Sequence, residues 1–87
     1  MRYFIVTYFL KKTGQYDEYT AISKDIKKND LSTASIILDF QEKKILKCRA
    51  PQGITVEHPT WDNIAGYYSR HYTDIFNQLY LANGTQP

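Results

Sequence analysis

Hydrophobic positions follow two rhythms along the 87 residues, an alternation in the first half and a three-to-four spacing in the last third. Between residues 60 and 82, Trp61, Ile64, Ala65, Tyr68, Tyr72, Ile75, Phe76 and Leu79 form the i, i+3, i+4, i+7 stripe of an amphipathic helix. Thr60 fits the N-cap, Asp62 complements the positive end of the dipole, and Asn83-Gly84 supplies a stop. The pattern predicts one continuous helix over 60–82.

Upstream, residues 2–10, 16–23, 34–40 and 45–50 read as strands rich in β-branched and aromatic residues. Lys12-Thr13-Gly14 offers a three-residue hairpin loop, with glycine for the left-handed position. Setting Lys11 opposite Gln15 places Phe4, Val6, Tyr8 and Leu10 on one face with Tyr16, Glu18, Thr20 and Ile22. The other face then holds Tyr3, Ile5, Thr7 and Phe9 with Asp17, Tyr19, Ala21 and Ser23. In the second hairpin Ala34, Ile36, Leu38 and Phe40 point inward. After a glycine-free turn at Glu42-Lys43-Lys44, Leu46, Cys48 and Ala50 follow them, while Lys47 and Arg49 point out. Residues 24–33 are polar and read as a connection. The expected architecture is α+β in a single domain, 1–87: a four-stranded antiparallel sheet of two hairpins with one C-terminal helix across one face.

The first strand is apolar on both faces, as expected of a strand buried on both sides. One helix shields one face, so the other calls for a second copy of the chain or for residues 24–33. Candidate partner-binding residues are Tyr3, Ile5, Phe9 and Tyr19 on that face, with Tyr67, Arg70 and His71 at the margin of the helix stripe. The eight tyrosines suit such half-wet positions.

Charge narrows the partners. The net charge of +2 is too small to make nucleic acid the default. Lysine clusters beside aromatic residues still resemble the ingredients of single-stranded nucleic-acid binding, with Lys24, Lys27, Lys28, Lys47 and Arg49 as its candidates. Neither RNA-recognition signature nor a Gly-x-x-Gly loop accompanies them. A single cysteine, Cys48, excludes an internal disulfide and fits a reducing compartment; it reads as a core residue. Met1-Arg2 before an apolar run superficially resembles a leader, but no small-residue cleavage site follows, and no run is long enough to span a membrane. The expectation is a cytoplasmic domain.

Catalytic chemistry finds little support. His71 lies at helical spacing from Tyr67 and Asp74, which would suit a His–Asp general base, but no nucleophile stands nearby. His58 in the preceding loop does not complete a metal-ligand spacing. No cofactor and no metal are expected.

The opening Arg-Tyr-Phe-Ile-Val-Thr-Tyr-Phe, the Lys-Thr-Gly-Gln turn, the Ile-Leu-Asp-Phe hairpin and the helix from Asp62 to Leu79 together resemble small uncharacterised accessory proteins of large tailed bacteriophages. That resemblance implies the bacterial cytoplasm during infection and a role in binding a macromolecule, and it carries no catalytic residues. The expected function is a non-enzymatic protein–protein interaction module, homodimeric through its sheet. The alternative is a single-stranded nucleic-acid-binding domain.

Overall fold

The computed structural model describes residues 1–27, 35–50 and 60–84. Strands β1 (Tyr3–Leu10), β2 (Tyr16–Ser23), β3 (Ser35–Asp39) and β4 (Lys44–Cys48) precede two helices, α1 (Trp61–His71) and α2 (Thr73–Ala82). The strands form one antiparallel sheet in the order β2-β1-β3-β4, so the α+β expectation holds. Both neighbours of β1 run antiparallel to it, which leaves β2 and β3 parallel and joined by a crossover. That connection, and the segment holding His58, lie largely outside the described residues.

The β1–β2 register is the expected one. Tyr8 faces Glu18, Val6 faces Thr20 and Phe4 faces Ile22, while the Lys11 N–H donates to the Gln15 carbonyl at 2.7 Å across the loop. Gly14 takes φ +88° in that loop, a conformation that a side chain would strain. Phe4, Val6 and Tyr8 of β1, Ile36 and Leu38 of β3, and Phe40 just after it pack against Ile64, Ala65, Tyr68, Phe76 and Leu79 of the helices. The rings interlock edge to face: Phe76 lies 4.9 Å from Phe4 and 5.1 Å from Phe40 between centroids.

Two expectations fail for identifiable reasons. The helix is not continuous, because Tyr72 leaves helical geometry at φ −130°, ψ 51°. There the Thr73 hydroxyl donates to the Ser69 carbonyl at 2.8 Å, and the Ser69 hydroxyl donates to the Gly66 carbonyl at 3.0 Å. Back-bonding of this kind bends helices. The apolar stripe survives the break, since Tyr72 and Ile75 still pack against the core. Thr60 caps α1 as expected, accepting from the Asn63 amide at 3.3 Å.

The second failure lies in β4. Ile37 pairs with Lys47 but Leu38 pairs with Ile45, so β4 carries one extra residue at this point. The bulge breaks strict alternation. Ile45, Cys48 and Ala50 pack on the core, and Leu46, expected inward, is exposed.

A clamp holds the far end of the sheet. The Arg2 guanidinium donates to both oxygens of Asp39, at 2.9 and 2.7 Å. The same carboxylate accepts the amides of Gln41 and Glu42 at 3.0 and 3.3 Å. Asp39 thus caps the β3–β4 turn, where Lys43, without a glycine to replace it, adopts φ +53°.

Candidate functional site

The surface face of β1, the one turned away from the helices, divides in two. Ile5 and Ile37 are 5% and 0% exposed in the chain by itself. Ile5 therefore drops out of the partner-binding set: burial within the chain already satisfies it. Tyr3 is half-buried and carries the Arg2 guanidinium 5.1 Å above its ring centroid. Towards the hairpin end the picture reverses. Phe9 is 51% exposed and Tyr19 56%, and their rings meet edge to face at 5.0 Å.

The register explains that contact. Thr7 pairs with Tyr19 and Phe9 with Asp17, so Phe9 and Tyr19 are diagonal neighbours on one face, within reach of aromatic side chains. Together with Thr7, Thr20 and Ala21 they line a shallow depression open to solvent, with the methyl of Ala21 leaving room beside Tyr19.

This patch borders an unpaired sheet edge. β2 is the outermost strand, and among the described residues nothing pairs with its outer side. The Lys11–Gln15 bond sets the phase of the ladder. In an antiparallel pair the hydrogen-bonded positions alternate, so Asp17, Tyr19 and Ala21 bond to β1, while Glu18, Thr20 and Ile22 direct their N–H and C=O groups outward.

Glu18 fastens this edge to the helices. Tyr72 donates to its Oε2 at 3.0 Å, and the Tyr68 hydroxyl approaches Oε1 at 3.5 Å. Tyr68 is bonded in turn to Tyr8 at 2.8 Å. Either hydroxyl can donate that bond. Burial pushes the Tyr8 phenol up to about 12, and burial followed by the Tyr8 bond raises Tyr68 further. Tyr72 is raised for the same first cause, burial, with its Glu18 bond second. These phenols are neutral donors, not acids.

Glu18 is an anchor that the alternation of the strand does not mark. A signal was present: a carboxylate on the helix-side face beside Tyr8 needs donors, and Tyr68 and Tyr72 are the hydroxyl-bearing members of the facing stripe.

The remaining candidates scatter. Tyr67, Arg70 and His71 are exposed on α1, and His71 lies 4.8 Å from the Tyr67 ring. Asp74 falls beyond the break at Tyr72, so the i+3 spacing to His71 no longer holds, although both line one open depression with Thr73. Lys24 and Lys27 follow the end of β2, beside the Tyr3 end of β1. Lys47 and Arg49 close β4 near Ser35, which faces Thr7 at the other end of β1. The basic candidates thus occupy diagonally opposite corners of the sheet, and Lys28 lies outside the described residues. Cys48 is half-buried, its thiol pushed up by that burial. Among the described residues no group of three or more His, Cys, Asp or Glu converges to hold a metal ion, and no helix is long and apolar enough to cross a membrane.

Comparison with protein families, curated proteins and solved structures gives no match for this chain.

Proposed function

We propose that the chain is a non-enzymatic protein–protein interaction module that self-associates through its sheet. The observation that carries this reading is the exposed Phe9–Tyr19 pair standing beside the outer edge of β2, which no strand among the described residues pairs. Apolar rings next to unpaired strand amides are the surface that another chain covers most readily. The resemblance to small phage proteins points the same way, toward binding.

Single-stranded nucleic-acid binding loses support. A nucleic-acid groove needs its cations to follow one path along the backbone, and the basic candidates stand at opposite corners instead. A His71–Asp74 general base likewise loses its helical spacing.

Sedimentation at high micromolar concentration tests the proposal. A dimer is expected, weakened by Phe9→Lys and by Tyr19→Lys, while Tyr67→Lys on α1 leaves it intact. A strict monomer, or a dimer indifferent to both sheet substitutions, would sink it.

A further inference from the structure

Resting on that reading, we infer that the occupant of the β2 edge is a second copy of the same strand, added antiparallel about a two-fold axis at Ala21. A two-fold pairing makes the surface self-complementary, so each contact occurs twice. The phase of the ladder limits the choices. Thr20 and Ile22 both direct their backbone groups outward, and in this register Thr20 exchanges both hydrogen bonds with Ile22 of the second copy. Ala21 then faces its own counterpart at a non-bonded position, and Tyr19 faces Ser23.

Charge selects this register over its neighbours. With the axis at Ala21, Glu18 stands opposite Lys24 of the second copy, and Lys24 opposite Glu18. Lys24 is exposed one residue past the strand end. Moving the axis to Thr20 sets Glu18 opposite Ile22, and moving it to Ile22 sets Lys24 opposite Thr20, so either shift loses both ion pairs. Opposite charges directly across a pair of strands stabilise it, and unlike partners of this kind also fix register.

Packing agrees. Facing alanines leave space on the surface side of the seam, and the Tyr19 rings, one from each copy, fold diagonally over that space beside Phe9. The depression lined by Thr7, Phe9, Tyr19, Thr20 and Ala21 is bordered at the seam by the second copy, and two four-stranded sheets become one continuous sheet.

Cysteine scanning decides the axis. In a background with Cys48→Ala, single cysteines replace Tyr19, Thr20, Ala21 and Ile22 in the full chain, and oxidised samples are run without reductant. Facing non-bonded residues sit about 4.5 Å apart between Cα atoms, inside the span of a disulfide. Ala21→Cys should therefore give a covalent dimer and the other three much less. Lys24→Glu should weaken the dimer about tenfold at low salt, with the difference fading at high salt. A cross-link favouring another position, or a Lys24→Glu dimer of unchanged affinity, overturns the register while leaving self-association standing. Wild-type protein that stays monomeric overturns both, and leaves the edge to a strand of some other protein.

Discussion

The sheet has two edges, and they are finished differently. β4 is short, five residues, and is interrupted by the bulge at Leu46. It carries Lys44 and Lys47 along its length, and its preceding turn is fixed by Asp39. Short length, bulges and lysines are the devices by which natural sheets discourage pairing with another chain. β2 has none of them over Tyr19–Ser23: its register to β1 is unbroken, and the stretch holds no charge and no proline. The contrast teaches that one edge carries the features that discourage pairing with another chain, while the other, among the described residues, carries none of them over Tyr19–Ser23. The two edges are also tied down by different chemistry, a charged clamp at β4 and a chain of phenols at β2.

The largest expected effect lies on the phenol side. Tyr8 is 7% exposed and its phenol is held near 12, against an ordinary value of about 10. A folded-state value raised above the unfolded one contributes stability that is fully present below pH ~10 and is lost as pH climbs through ~12. The amount is on the order of 2 kcal/mol. Denaturant titrations from pH 9 to 12 should show a steep fall, and Tyr8→Phe should flatten part of it. A wild-type curve as flat as that of the variant would remove the phenol chain from the account of the β2 edge.

Next comes the clamp at β4. Asp39→Ala removes a buried acceptor from the Arg2 guanidinium and from the Gln41 and Glu42 amides, a cost of about 2 kcal/mol. The Arg2 hydrogen bonds, followed by the two turn amides, hold the Asp39 carboxyl below its ordinary range, against the opposing effect of burial. Its contribution is thus present above pH ~4 and lost as the pH falls below that value. Hydrogen exchange should show β4 opening first in the variant, with β2 little changed. Equal loosening of both edges would contradict the separate anchoring argued here.

These residues also show where the chain could be read and where it could not. The β1–β2 register was legible because the loop glycine and the alternation agree, leaving one pairing that keeps Phe4, Val6 and Tyr8 together. The core stripe from Trp61 to Leu79 was legible for the same reason of periodicity. The bulge at Leu46 was not, since an inserted residue is visible only against the partner strand. The helix break at Tyr72 depends on local hydroxyl bonds from Ser69 and Thr73 that an apolar stripe does not report. The burial of Ile5 turns on tertiary cover, so the candidate site shrank to Phe9, Tyr19 and the β2 edge.

The smallest effect sharpens the contrast most cleanly. Lys43 is held at φ +53°, where an L side chain costs roughly 1–2 kcal/mol relative to right-handed backbone. Glycine there would release that strain but would cost about 0.5–1 kcal/mol through its greater freedom in the unfolded chain. The first figure exceeds the second, so Lys43→Gly should stabilise the protein by about 0.5–1 kcal/mol. The turn closes β4, so the gain should appear as slower amide exchange in β3 and β4 alone. The dimer, resting on β2, should keep its affinity. If Lys43→Gly instead destabilises, the lysine contributes contacts that outweigh its backbone strain. If it alters dimer affinity, the two edges are coupled through the sheet, and the claim that one is closed independently of the other fails.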